Sequence, residues 1–331
     1  AGGMASSMKR FLPVDIETVI ESRIKKVEFT WKASDKVIAD LSDESPFWII
    51  KREKLDKLLL NESLKFGVEI LRPTTVEKIK KENDKWVVKC SNKFQYKSEF
   101  LVIADGSQSK WAEHFKLGPR KPKFANTIAL RLKGLGNIPK DSVRFEFGFL
   151  KYGFAWAFPR KESINIGFGT FINNALFEED INKNIIKSFG FENSSFKVIQ
   201  KRLRIWNGFH KLNRDKVLVV GDAASLCDPF LAEGIRPSLI SSFYASENID
   251  KCFSNKFNDL DNYSKSINNE WGKSMAWGKR IAQVFYRFPK TGYQLGVKRK
   301  TAPKRIAQIL SGEMSYEDIA KRVIKRLLTK S

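Results

Sequence analysis

The stretch Val217-Leu218-Val219-Val220-Gly221-Asp222-Ala223-Ala224-Ser225, continued by Asp228-Pro229-Phe230-Leu231-Ala232-Glu233-Gly234-Ile235, decides the architecture. A short run of Val and Leu between polar flanks reads as a buried strand. Gly221-Asp222 ends that strand on a carboxylate, Pro229 stiffens the following loop, and a helical pattern runs from Glu233 to about Ile249. Gly234 lets another group approach the helix start closely. Free N–H groups and the helix dipole favour negative charge at such a start. A carboxylate-tipped strand turning into an anion-facing helix is the ligand-binding edge of an open α/β sheet.

Working outward, Phe100-Leu101-Val102-Ile103-Ala104 runs into Asp105-Gly106-Ser107-Gln108-Ser109 and repeats the arrangement. Alone, Asp-Gly after an apolar run marks only a turn; two such ends predict strands that open on one crevice. Nearer the start, Val27, Phe29 and Trp31 alternate, as do Val37, Ala39 and Leu41, around Ala33-Ser34-Asp35-Lys36, which predicts a hairpin. Phe47–Ile50 predicts a strand that feeds a helix over 52–66, where Leu55, Leu58, Leu59 and Leu64 recur at helical spacing. Segments 68–71, 74–80, 85–90 and 94–96 read as strands, forming an antiparallel meander that returns to a buried strand at 100–104. Between Phe124 and Phe171 strand patterns carry an unusual density of aromatics. A helix near 178–189, a strand around 202–207, a helix over 262–286 and a last helix with Tyr316, Ile319, Val323 and Leu327 on one stripe complete the chain. Ala1-Gly2-Gly3-Met4 reads as a glycine turn leading into a short helix that Pro13 ends.

The 331 residues suit about two domains, and 42% apolar against 29% charged residues is a globular composition. No run approaches the ~20 apolar residues of a membrane-crossing helix. Cys90, Cys227, Cys252, His114 and His210 are too few and scattered for a disulfide framework or a zinc cluster, which predicts a reducing, cytoplasmic setting and no metal. Both histidines sit in basic, loop-like surroundings and read as surface residues. The net charge of +23 attracts nucleic acid, anionic lipid headgroups or diphosphate substrates; solvated lysines on every face are the alternative reading.

At this point the two carboxylate-tipped segments resemble the flavoprotein superfamily of aromatic hydroxylases, flavin halogenases and geranylgeranyl reductases. The resemblance implies that Asp222 bonds the ribityl chain of FAD, that the backbones of Gly234 and Ile235 face the flavin beyond Gly221 and Pro229, and that Asp105 and Gly106 pack beside the diphosphate. The family has Gly where Ala232 stands. Arg52-Glu53-Lys54-Leu55-Asp56-Lys57-Leu58-Leu59 is similar to the family's Arg-x-x-Leu-Asp-x-x-Leu helix start, whose arginine reaches the cofactor; a solvated helix with i, i+4 charge pairs is the alternative. Val76 stands where members touch the adenine. No G-x-G-x-x-G occurs, the nearest being Gly134-Leu135-Gly136, which continues into Asn137-Ile138-Pro139. Ala1-Gly2-Gly3-Met4 resembles the second half of the Pro-Cys-(Gly/Ala)-Gly-Gly/Leu segment of geranylgeranyl reductases. The resemblance therefore implies that Ala1, Gly2 and Gly3 lie at the cofactor and that the diphosphate cradle lies upstream on a longer, N-terminally truncated chain.

Phe154-Ala155-Trp156-Ala157-Phe158-Pro159, a seven-residue spacer and Gly167-Phe168-Gly169 resemble the Tyr-x-Trp-x-Phe-Pro and Gly-x-Gly of geranylgeranyl reductases, with Phe154 in place of Tyr. Halogenases carry a related Trp-x-Trp-x-Ile-Pro. Alternate strand residues share a face, so Phe154, Trp156 and Phe158 can wall an apolar channel; a core aromatic ladder is the other reading.

The expectation is a mixed α/β (α+β) fold with an incomplete FAD-binding Rossmann-like domain (1–116 and 210–252), an antiparallel aromatic-rich substrate sheet (117–209) and a C-terminal helical region (253–331). The implied activity is FAD-dependent reduction of C=C bonds in a geranylgeranyl-type chain of an isoprenoid lipid, with electrons from NAD(P)H or a ferredoxin. Nucleic acid is not an expected partner. Peripheral contact with an anionic membrane is, with basic residues of the last helix on headgroups and Ile319, Val323 and Leu327 packed inward. A flavin monooxygenase or halogenase acting on an aromatic substrate and a basic non-catalytic binding module are the alternatives. No proton donor is assigned; Cys227 is either a candidate or a buried spectator thiol.

Overall fold

In the computed structural model the described residues are 2–41, 46–173, 175, 177–192, 198–254 and 260–328, without the side chains of 261, 323 and 326–328. Ala1 therefore lies outside the described residues, as do the side chains of Val323 and Leu327.

The two carboxylate-tipped strands are neighbours. Val217–Val219 runs parallel to Leu101–Ile103, with Val217 opposite Leu101 and Val219 opposite Ile103, and Asn213–Arg214 pairs antiparallel on the other side. Val217, Leu218 and Val219 are fully buried, and the Tyr263 hydroxyl donates to the Val219 carbonyl (2.7 Å). Leu101–Ile103 is the edge strand of this sheet. Its Val102 is 43% exposed, which corrects the expectation of a wholly buried strand.

A seven-stranded sheet follows the order Ile199–Ile205, Lys123–Lys133, Ser163–Thr170, Gly153–Pro159, Ser142–Phe147, Lys26–Trp31, Ser34–Asp40. Neighbours are antiparallel except Ser142–Phe147 beside Lys26–Trp31. The predicted hairpin supplies two of these strands. It turns at Lys32-Ala33, whose φ values of 49° and 60° match the left-handed pair that suits strand twist. Period-two alternation gives the sheet two apolar faces. One carries Phe29, Phe145, Phe147, Phe154, Trp156 and Phe158 and joins the main core. The other carries Ile128, Leu130, Ile164 and Ile166 under Ile185 and Ile186 of the helix Glu179–Ser188.

Gly3–Ala5 corrects the reading of a glycine turn. It is a strand on one edge of Phe47–Ile50, with Ile20–Ile24 on the other, and leads into a 3-10 helix over Ser6–Phe11. The meander is Val76–Glu82, Lys85–Cys90 and Gln95–Ser98. Val68–Leu71 joins no described ladder, because its start is used to end the helix Arg52–Lys65: Gly67 takes φ 79° and the Val68 N–H returns to the Ser63 carbonyl. His114 ends the short helix Lys110–His114 rather than sitting in a loop. Behind the small sheet stand the helix Ile235–Phe253 and the helical stretch from Asp261 to Arg287, which a π turn interrupts at Asn268–Gly272. Among the described residues no helix is long and apolar enough to cross a membrane.

Candidate functional site

Gly221 begins the turn beyond Val220 with φ 56°, and its N–H donates to Ser241 Oγ (2.9 Å). A Cβ there would lie 2.7 Å from Ser238 Oγ, so glycine is what lets the helix Ile235–Phe253 close on the strand end. The Gly221–Ala224 turn packs against the Gly106–Gln108 turn, which follows the adjacent parallel strand. Asp105 and Asp222 thus leave the same edge of one sheet. Gly106 has φ 79°, with open space where its side chain would be.

Asp222 Oδ1 is buried and accepts no hydrogen bond from the described residues. A Cβ on Gly234 would come within 3.0 Å of that oxygen. Gly234 is the N-cap of the helix Ile235–Phe253, and no side chain caps it. Burial pushes the Asp222 carboxyl up to about 6 against the pull of the Arg52 guanidinium. Arg52 also makes the expected pair with Asp56 (3.1 Å) from an exposed position, so the same residue supports its helix and acts on Asp222. The end of the sheet therefore holds an unanswered acceptor, an uncapped helix start and a cation within electrostatic reach.

The loop between Leu226 and Ile235 is held from behind. Buried Asp228 accepts from the N–H groups of Phe230 (2.6 Å) and Leu231 (2.9 Å) with one oxygen and from the Tyr316 hydroxyl (2.8 Å) with the other. Pro229 stands between these anchored residues. Trp271 Nε1 donates to the Leu226 carbonyl, the Tyr286 hydroxyl to the Phe230 carbonyl, and the Arg236 guanidinium to the carbonyls of Ile309 and Leu310. Arg204 similarly clamps the other turn, donating to the Ser107 and Ser109 carbonyls at 2.7 Å. Asp228 lies inside the quoted motif and Tyr316 on the last helix's stripe, but no local motif marks Trp271, Tyr286, Arg236 or Arg204 as anchors. Their sequence signal is limited to polar-tipped residues on otherwise apolar stripes, which need a partner once buried. Cys227 is fully buried, and burial with the charges of Asp222, Asp228 and Glu233 pushes its thiol well up. It is a protonated, enclosed thiol with the features of a spectator.

Phe154, Trp156 and Phe158 share one face, with neighbouring ring centroids 5.7 and 6.5 Å apart. Trp156 stands opposite Gly167 and Phe154 opposite Gly169. The indole fills the space over Gly167, where a Cβ would lie 2.7 Å from Trp156 Nε1. At Gly169 the Thr127 methyl would be 2.8 Å away. Trp156 Nε1 is buried without a partner among the described residues, and Pro159 ends the strand as a buried residue. Phe147 connects this wall through Phe285 (5.4 Å) to Phe230 of the loop (5.3 Å). Gly3 lies beside it, since a Cβ there would be 3.1 Å from the Phe158 ring, and Gly2 lies under the Ile50 carbonyl. Ile235 packs on the cluster around Met4 and Met8. Val76 stands apart on the meander, opposite Cys90. That sheet joins the small parallel one where Trp86 Nε1 donates to the Asp215 carbonyl (2.9 Å).

No family model matches the chain. It is 23% identical over 308 residues to a digeranylgeranylglycerophospholipid reductase of Methanocaldococcus jannaschii, covering 90% of this chain and 77% of the relative. The enzymes of the same name from Picrophilus torridus (23% identity, 83% of this chain, 72% of the relative) and Methanococcus vannielii (24%, 68%, 59%) are similar too. Among solved structures, a geranylgeranyl bacteriochlorophyll reductase-like protein of Thermoplasma acidophilum superposes with a TM-score of 0.76 at 18% identity, over 86% of this chain and 77% of the other. A flavin-dependent brominase superposes at 0.70 and 13% identity over 99% and 89%. The structural likenesses speak for the fold, and the reductases share sequence along most of the chain, as does a conditioned medium factor receptor of Dictyostelium discoideum (24% identity, 72% of this chain, 51% of the relative). The Gly-Asp turn, the paired Asp-Gly turn and the Phe-x-Trp-x-Phe-Pro strand thus stand on one core in a chain that is similar, at 23–24% identity, to digeranylgeranylglycerophospholipid reductases.

Proposed function

We propose that this chain works as an FAD-dependent reductase of C=C bonds in the prenyl chain of an isoprenoid lipid. The observation that carries the reading is Asp222 Oδ1, a buried carboxylate oxygen with no partner among the described residues, facing Gly234 at an uncapped helix start. A buried acceptor left unsatisfied costs about 1–3 kcal/mol, and a ligand hydroxyl that donates to it would recover that cost. The orphaned Asp222 oxygen and the nearby Arg52 charge fit a flavin: Asp222 would accept from a ribityl hydroxyl, the Gly234-Ile235 backbone would hold the ring, and Arg52, Asp105 and Gly106 would serve the phosphates. Gly2, Gly3 and Val76 are the further cofactor contacts that the reading assigns.

Reduced FAD, when bound, supplies the hydride; its electrons come from NAD(P)H or a ferredoxin. The protein's part is positioning and exclusion of water. Phe154, Trp156 and Phe158 give a prenyl chain an apolar wall that competes with bulk lipid, and the Gly167 and Gly169 strand keeps that wall in register. Residues 1–116 with 210–252 serve the cofactor, 117–209 the substrate, and 253–331 brace the loop. Strands at 26–40 complete the substrate sheet.

The test is anaerobic incubation of the FAD-loaded chain with a digeranylgeranylglycerophospholipid and dithionite, read by mass spectrometry. The expected product gains two hydrogens per reduced double bond. Oxygen consumption on an aromatic substrate without any lipid reduction would support the monooxygenase or halogenase reading instead. Failure to bind FAD even with the upstream dinucleotide segment present would leave a basic binding module.

A further inference from the structure

From Trp271 to Gly312 the sequence holds ten Lys or Arg and no Asp or Glu. Within it, Val284, Phe288 and Leu295 are 68%, 58% and 54% exposed. We infer that the outer side of the helical segment Trp277–Lys300 is a docking surface for an anionic lipid bilayer.

Three observations meet there. Val284 and Phe288 are one turn apart and share a helix face, while Ala282, Phe285 and Tyr286 on the other side are buried. The guanidinium groups of Arg280 and Arg287 lie over the rings of Trp277 (4.9 Å) and Phe288 (5.7 Å), so cations flank the apolar stripe, as at a headgroup boundary. Charge complementarity is strong: of the acidic groups on neighbouring strands that act on Tyr293, Asp35 is paired with Lys298 and Glu146 is buried, accepting from the Thr30 hydroxyl. A nucleic-acid surface would use the cations but leave the Val, Phe and Leu side chains in water. A bilayer uses both. The last helix, by contrast, turns Tyr316 and Ala320 inward, with Tyr316 packed on Gly278, so the preceding segment is the better lipid face.

The inference deepens the proposed function. The inner side of the same helix meets the loop through the Tyr286 hydroxyl and Phe285, so a prenyl chain leaving the bilayer would reach the aromatic wall across one helix.

The experiment is flotation of the 331-residue chain with phosphatidylcholine vesicles and with vesicles of about one third phosphatidylglycerol. The parent should bind the anionic vesicles and release from them as salt rises. The variant V284S/F288S/L295S, altered at exposed positions with every charge kept, should partition roughly tenfold less. Equal partition of parent and variant overturns the inference. So does preference for duplex RNA over anionic vesicles that the three serines leave unchanged. Because flotation reads no turnover, the surface can stand if the reductase reading fails, and the reverse also holds.

Discussion

At Gly234 an added methyl group would meet the Asp222 carboxylate oxygen at 3.0 Å, whereas at Gly167 it would run into the Trp156 indole of its own sheet. Both glycines belong to motifs that resemble those of one family, yet they do different work. The Gly221–Ile235 turn brings its glycine against a carboxylate oxygen that no described residue answers. The Gly153–Thr170 strands use their glycines to seat a side chain already present. Of these two glycines, only Gly234 frees volume beside a polar atom that the described residues leave unanswered.

The largest test of this contrast is Gly167→Ala. Overpacking an indole that already fills its space should cost about 3 kcal/mol of stability in urea unfolding, and Trp156→Leu in the same chain should recover part of it. Full stability in Gly167→Ala would mean that the wall has room to spare and that the two glycines do not differ.

Next in size is Asp222→Asn, which should weaken FAD binding by roughly ten- to a hundredfold in a fluorescence titration, since a charge-assisted hydrogen bond becomes a neutral one. The sign for the FAD-free protein is the opposite. The folded carboxyl is pushed up to about 6 from an ordinary value of 3.8, so its contribution to stability is full below pH ~4 and is lost as pH rises through about 6. The loss is at most about 3 kcal/mol. Asp228 and Glu233 are raised in the same direction, so the parent's slope is shared and the difference between parent and Asn variant isolates Asp222. The Asn variant should be the more stable of the two at pH 7 without FAD and the less FAD-responsive with it. A parent and variant that track each other from pH 4 to pH 7 would make Asp222 an ordinary solvated carboxylate.

The legibility of the two regions follows the same line. The crevice edge could be read because its signals are local: an apolar run, then a carboxylate, twice. The wall could be read as a face because Phe154, Trp156 and Phe158 alternate, but that Trp156 covers Gly167 depends on a register set by strand pairing. Gly2 and Gly3 suggested a turn because their strand partner, Phe47–Ile50, lies more than forty residues away. The Tyr316 anchor on Asp228 spans 88 residues and no spacing announces it. Val68–Leu71 had the composition of a strand, but capping of the preceding helix consumes its first N–H.

The smallest effect sharpens the comparison from the loop's side. Ala232 holds φ 55°, a left-handed conformation, where the resemblance has glycine. For an L-residue that conformation costs about 1–2 kcal/mol. Its methyl recovers part of this by packing on the cluster of Ala125, Ile205 and Cys227, and glycine adds freedom to the unfolded chain. Ala232→Gly should therefore stabilise the protein by only about 0.5 kcal/mol, measurable as a raised urea midpoint at unchanged slope. FAD affinity is the informative readout. If it stays constant, the loop is held by Asp228, Tyr316 and Tyr286 from behind, and the strain at Ala232 is merely tolerated. If it falls, the alanine methyl itself sets the approach of Gly234 to Asp222, and the freed volume in this turn is shaped from within after all, as it is at Gly167.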